Sequence, residues 1–282
     1  TANFVLTSSI TVTTSPAGRM ITVDGVSYAA PQTFIWTAGS SHTISVSSPQ
    51  SGGPGTAGTG YFYSSWSDGG AQSHTITTPS STAAYTANFT TRYQLVTYWS
   101  TGGSVTPVCP PSPSGCWYNS GAIVSVTSKA NAGYAFANWS GACTGSGACG
   151  VTMNAGKSVT ANFCALSAYY RDADADGYGN ASVTTQLCTQ PVGYVTNNSD
   201  CDDANSAIKP GAAEVCDSKD NDCDGLSDNG PDSDADGVND VCDNCKLVAN
   251  PDQRDDNSAG DDDLNKAGIQ HYGDICDPDF DN

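Results

Sequence analysis

Residues 85–95 read YTANFTTRYQL, and the word Thr-Ala-Asn-Phe inside this stretch, at 86–89, occurs three times in the chain. It returns at 160–163 and also forms Thr1–Phe4. Upstream of the copy at 86–89 lies YFYSSWSDGG (61–70), with Trp66; upstream of the copy at 160–163 lies YAFANWSGAC (134–143), with Trp139. Trp66 precedes Phe89 by 23 residues, and Trp139 precedes Phe163 by 24. Alternating runs come before each tryptophan, SHTISVSS at 41–48 and GAIVSVTS at 121–128. Farther upstream stand SSITVTTSPAG (8–18) and YQLVTYWSTGG (93–103). One order of strand, glycine turn, strand, tryptophan strand and Phe-ending strand is therefore written twice, which marks an internal repeat.

The period is two, the period of half-buried strands. Tyr85, Ala87 and Phe89 share one face, as do Val159, Ala161 and Phe163. Phenylalanine closes the core from the last strand, alanine leaves room beside it, and Asn and Thr face water. The pattern resembles the bacterial surface repeats related to the internalin B-repeat, over about 5–163. That resemblance implies small β modules of the grasp or Ig-like kind; the first copy is also similar to a PEGA-type module. Thr1–Phe4 reads as the last strand of a preceding repeat, in a piece of a longer array or as a strand that pairs with another subunit.

After Phe163 the composition changes. Residues 1–163 carry two acids (Asp24, Asp68) and four bases, whereas 164–282 carry 27 acids and six bases, a net −21. Such a surface repels phosphates and excludes nucleic acid as a partner; divalent cations are its natural counter-charge. The acids are patterned. RDADADGYGN places Asp172, Asp174 and Asp176 before Gly177; DNDCDGLSD places Asp220, Asp222 and Asp224 before Gly225, with Asp228 beyond; DSDADGVNDVCD gives Asp232, Asp234, Asp236, Gly237, Asp240 and Asp243. D-x-D-x-D-G supplies three carboxylates from one tight loop, suited to calcium, which takes six to eight hard oxygens. An EF-hand ends in Glu at the twelfth position; here those positions hold Val183, Pro231 and Asp243. Calcium loops in another scaffold are expected. Copper prefers imidazole, thioether or thiolate, and two Met and three scattered His offer little for it.

The third loop, DSDADGVNDVCDNCKLVANPDQRD, resembles the thrombospondin type 3 repeat. The resemblance implies calcium roles for Asp232, Asp234, Asp236, Asp240 and Asp243, a Cys245–Cys276 disulfide, and a further site at Asp274 and Asp277. Residues 169–229 are similar to a Cys/Asp-rich metal-binding motif of bacterial surface proteins. By position this implies metal roles for Asp172, Asp174, Asp176, Asp202, Asp203, Glu214, Asp220, Asp222 and Asp224.

Twelve cysteines, eight of them after Phe163 and mixed with Asp rather than His, fit oxidised pairs in an extracellular or periplasmic protein. Local bridges are expected at Cys109–Cys116, Cys143–Cys149, Cys188–Cys201 and Cys216–Cys223, leaving Cys164 with Cys242. Four N-x-S/T triplets (Asn88, Asn138, Asn180, Asn197) agree with secretion. No apolar run is long enough to span a membrane. A secreted chain has carried a leader, so a mature or excised segment is expected. GPGTAG at 53–58 matches a dinucleotide fingerprint in letters alone, because an aromatic strand follows it rather than a helix. No catalytic constellation is visible.

The fold expected is mainly β. A strand at 1–4 and two small sandwich or grasp-like modules (5–91 and 92–163) precede an irregular, disulfide-stapled, calcium-binding rod made of 164–231 and 232–282. The function expected is a calcium-rigidified surface stalk or fibre subunit that self-associates, and not an enzyme. The alternative is an adhesin whose Tyr61, Phe62, Tyr63 and Trp66 contact a glycan or surface protein.

Overall fold

A computed structural model describes residues 5–53, 57–111, 115–247 and 249–253. The chain divides into two compact units, Thr1–Ala165 and Leu166–Asn282. Among the described residues every regular element is a strand, and no helix is long and apolar enough to cross a membrane. The strand expected at Thr1–Phe4, the metal ligands expected at Asp274 and Asp277, and the expected bridge to Cys276 fall outside the described residues.

The first unit opens with β1 (Thr7–Ser15), β2 (Met20–Val23), β3 (Val26–Ala29), β4 (Gln32–Thr37) and β5 (Ser41–Ser45). There follow β6 (Gln50–Ser51), β7 (Thr59–Trp66), β8 (Ser73–Thr77) and the long β9 (Ala83–Trp99). Beyond it come β10 (Gly103–Thr106), β11 (Cys116–Asn119), β12 (Ile123–Ala130), β13 (Tyr134–Gly141), β14 (Cys149–Thr152) and β15 (Lys157–Ala165). An eight-stranded sheet contains β1, β4, β6, β7, β9, β11, β13 and β15. Two small sheets, β3-β2-β5-β8 and β10-β12-β14, supply the second layer.

The written repeat is a structural repeat. β1 runs parallel to the first half of β9 and antiparallel to β4; the second half of β9 runs parallel to β15 and antiparallel to β11. Both tryptophan strands carry an irregularity just before the indole, after Tyr63 and after Phe136. Past it, Trp66 stands opposite Ala87 and Trp139 opposite Ala161, the alanine of Thr-Ala-Asn-Phe in each case. That alanine is fully buried in both copies because the indole fills the space above it. Each indole N–H finds a carbonyl, Gln72 O at 3.2 Å and Gly147 O at 3.0 Å, so burial leaves no unpaired donor. Trp66 is therefore a core residue, only 2% exposed, and cannot contact a glycan as the adhesin reading of the sequence requires.

Each module has its own core. Val12, Ile21, Val23, Ile44, Ile76 and Ala87 surround Trp66. Leu95, Val105, Val126, Val151, Met153, Val159 and Ala161 surround Trp139. One strand, β9, closes the first core with Ala87 and Phe89 and opens the second with Leu95. The Cys109–Cys116 and Cys143–Cys149 bridges form as expected and staple the second module.

The second unit holds only β16 (Ser167–Arg171), β17 (Asn180–Leu187) and β18 (Tyr194–Val195), a three-stranded sheet in the order β17-β16-β18. The rest of its described chain is loop and turn. Its disulfides differ from the local pairs expected: Cys201 bonds Cys223, and Cys216 bonds Cys242. Cys188–Cys201, Cys216–Cys223 and Cys164–Cys242 are thereby excluded. The chain around Cys201 lies against the second Asp loop, with Cys201 N–H 3.3 Å from Cys223 Sγ and Cys201 Sγ 3.5 Å from Asp220 O, so the bridge joins the two segments instead of closing a local turn. Cys164, Cys188 and Cys245 are disulfide-bonded as well.

Candidate metal centre

The three D-x-D-x-D-G stretches fold alike. In the first, Asp172 accepts the N–H of Asp176 (3.2 Å) and of Gly177 (3.1 Å), and Asp174 accepts Asp176 N–H at 3.3 Å. The second repeats this with Asp220, Asp222, Asp224 and Gly225, the third with Asp232, Asp234, Asp236 and Gly237. The fifth residue of each loop caps the chain two places on, at Tyr178, Leu226 and Val238. The backbone must turn left-handed twice: at Ala175, Cys223 and Ala235 (φ 61–65°) and at Gly177, Gly225 and Gly237 (φ 93–95°). Glycine at the second position removes the Cβ penalty. The result is a curl that aims side chains of alternate residues at one point.

Asp172, Asp174 and Asp176 place one oxygen each within 4.8 Å of the others, and so do Asp232, Asp234 and Asp236. In the second loop the group so close is Asp220, Asp222 and Glu214. A fourth group, Cys216, Asp228 and Cys242, is not a ligand set, because its two sulfurs are bonded to each other.

Each loop receives a further acid from a different place. At the third it is Asp243, in the twelfth position, only 6% exposed. At the second, Pro231 occupies that position and Glu214 enters from the N-terminal side. Its carboxylate accepts the N–H of Asn221, Asp222 and Asp228 at 2.8–2.9 Å. At the first, Val183 occupies it, and Asp203 and Asp200 are brought in after β17 and β18. Asp203 accepts Ala173 N–H at 2.7 Å. Asp200 was not among the residues expected from the sequence: it lies outside any D-x-D spacing with Asp176, and the paired backbone of Asn180 and Asp200 brings it there.

The electrostatics follow from this crowding. Burial, then the charge of Asp176, pushes the Asp174 carboxyl up. Burial, then Asp176, Asp174 and Asp203, pushes Asp200 up. Asp222 and Asp234 are raised by desolvation and by their neighbours in the same way, Asp243 acting on Asp234. One oxygen each of Asp174, Asp176, Asp200, Asp234 and Asp243 is buried without a hydrogen-bond partner. Buried, unpaired carboxylate oxygens pointing at other carboxylates are what a cation would satisfy. The residues present thus fit an oxygen-seeking divalent ion.

The remaining expected ligands divide. Asp224 turns its carboxylate to Leu226 N–H and the Asn229 amide. The ninth-position acids face neighbouring turns: Asp228 accepts the N–H of Asp217 and Ser218, and Asp240 accepts both the N–H and the hydroxyl of Ser233. Those Ser233 bonds hold Asp240 below the usual carboxylate range. Asp202 follows Cys201 beside the first site, its carbonyl accepting Ala204 N–H at 2.7 Å.

The described histidines are elsewhere. His42 and His74 each pair with one of the two acids of the first unit, Asp24 at 2.7 Å and Asp68 at 2.9 Å. Ser40, His42 and Asp24 lie in a hydrogen-bonded row, but Ser40 Oγ also contacts Thr37 O and Thr78 Oγ1, and Trp36 stacks on the imidazole at 3.8 Å. The N–H groups of Gly39 and Ser40 are already bonded to Thr78 O and Thr37 O. The row ties β4 to β5.

Two family models match the chain. One, described as "Putative metal-binding motif" and named for copper-binding MopE, covers residues 200–229. The other, a divergent InlB B-repeat domain, covers residues 93–167. No curated protein matches the chain. The first match takes in Asp200, Asp202, Asp203, Glu214 and the second loop; the second takes in the module built around Trp139. Module 1, outside that match, shares its strand order and its Trp–Ala pairing.

Proposed function

We propose that the chain is a structural element of an extracellular surface: two β modules followed by a segment that calcium orders. The observation that carries this reading is the geometry at Asp243, Glu214 and Asp200. The third loop has its own twelfth-position acid, Asp243, and the two loops that lack one draw Glu214 and Asp200 from elsewhere in the chain, so that carboxylates converge at every loop. Oxygen-only donor sets favour calcium over copper, and the Asp232–Asp243 spacing supports the likeness to thrombospondin type 3 repeats. Little apolar surface is buried around these loops, so ligand binding itself supplies most of their folding energy. Oxidised cysteine pairs fit an oxidising compartment. The twice-built β module, stapled by two disulfides in its second copy, supports a spacer or fibre subunit.

Calorimetric titration of the chelator-treated protein tests this. Calcium should bind at several sites, with small-angle scattering showing compaction on addition and expansion on chelation. Binding of copper(II) in preference to calcium, or a scattering profile indifferent to both, would refute it.

A further inference from the structure

Module 1 covers the start of module 2 in a defined way. β7 extends its pairing beyond the first core, placing Gly60 opposite Arg92 and Thr59 opposite Tyr93. Gln94 N–H then donates to Gly58 O at 2.8 Å. Trp117 packs onto this extension, edge-to-face with Phe62 at a centroid distance of 5.6 Å. A Cβ on Gly60 would lie 2.9 Å from Trp117 Cζ3, so only glycine lets the indole approach.

Module 1 presents the same frame at its own start. Ile10 stands beside Ala83 and Phe34 as Leu95 stands beside Lys157 and Cys116. Ile10 and Leu95 are both 0% exposed. Each follows its Thr-Ala-Asn-Phe word by six residues. In that register Thr7, Ser8 and Ser9 correspond to Arg92, Tyr93 and Gln94, and Ile35, opposite Ser9, corresponds to Trp117, opposite Gln94. What differs is the cover. Thr7–Ser9 pair with β4 on one edge and with no strand on the other among the described residues. Val5, Leu6 and Ile35 are 64%, 58% and 67% exposed. Ser8 Oγ is buried with no partner.

We propose that this end of module 1 is a docking face for a further β module of the same kind. It would sit on Leu6, Thr7–Ser9 and Ile35 as module 1 sits on Arg92–Gln94 and Trp117, its closing strand running into β1. The patch is uncharged and aliphatic and flanks an open strand edge, which suits another sheet rather than a polyanion or an ion. The inference rests on the spacer reading of the β unit and is independent of the cation sites.

The test extends the full chain at its front with a second copy of residues 7–89, joined to Val5 so that the copy's Thr-Ala-Asn-Phe replaces Thr1–Phe4. Hydrogen exchange is followed in peptides covering 5–10. Exchange at residues 5–9 should slow by roughly tenfold or more, since a docked strand exchanges only on opening. Ile35→Asp in the native module should return those rates to the unextended values, while peptides around Ile44 from both copies exchange as one protected population. Unchanged rates at 5–9 beside a folded copy overturn the proposal, and so does a copy that stays unfolded. Chelator should leave the protection intact, which separates a failure here from a failure of the calcium reading.

Discussion

The first unit and the second solve the same problem with different means. In the first, buried aliphatics surround Trp66 and Trp139, and the only two acids are each paired with a histidine. In the second, the buried apolar side chains among the described residues are Tyr169, Ile208 and Cys245, while five carboxylate oxygens are buried unpaired. A carboxylate oxygen left without a partner there keeps part of its desolvation cost. The first unit therefore holds its shape by excluding water. The second is left with a deficit that a cation relieves and that its disulfides limit. The contrast teaches that net charge alone does not define such a segment; where the charges converge does.

The sharpest way to break the comparison is to remove an indole. Trp139→Ala should cost the first unit about 3–5 kcal/mol, the range for aromatic truncation in a core. Denaturant unfolding followed by the near-ultraviolet signal of that unit reads this. The cost should be the same in calcium and in chelator. A cost that vanishes on chelation would mean that the first unit also depends on the ion.

Next in size is the Cys216–Cys242 bridge, whose 26-residue separation spans the second loop and much of the third. Replacing both cysteines by serine should lower the stability of the second unit by about 3–4 kcal/mol in the chain-entropy model. Calcium should recover part of that loss, because the loops on either side keep their own carboxylates. Equal stability of variant and parent in chelator would show that the bridge does not constrain the unfolded chain.

These two residues also mark what could be read in advance. The sandwich core was legible because alternation and the Trp-to-Phe spacing are local signals that pairing merely completes: Trp66 and Trp139 fall opposite the alanines of the repeated word. The curl of each Asp loop was legible for the same reason. What crosses between loops was not. Cys201 and Cys223 lie in different loops, each next to acids, and nearest-neighbour pairing in sequence chose wrongly for both. Asp200 reaches the first site only through the backbone pairing beside Gly179, where Asn197 holds the chain by accepting Gly179 N–H and donating to Gly177 O. β9 hid a further feature: it runs unbroken from Ala83 to Trp99, through the position at which the sequence suggests one module ends and the next begins.

The smallest effect is the most diagnostic, because its sign differs between the units. In the first, the His42 hydrogen bond and then the Thr43 N–H hold Asp24 below its ordinary range. For Asp68, burial pushes upward, but the His74 and Gly70 bonds outweigh it and the net shift is again down. A lowered folded value means that stability is present above the unfolded carboxylate range and is lost as pH falls through the folded value. In the second unit without cation, Asp174, Asp200, Asp222 and Asp234 are raised, four groups against the lowered Asp240. Their contribution is present below the unfolded range, near pH 4, and is lost as pH rises through the folded values. Acidification from pH 6 to pH 4 in chelator should therefore weaken the first unit slightly and firm up the second. Calcium should reverse the second slope, since the ion binds deprotonated carboxylates. Thermal melts of both units across that range, with and without calcium, read the two slopes, and parallel slopes in chelator would remove the distinction between an apolar core and a cation-seeking one.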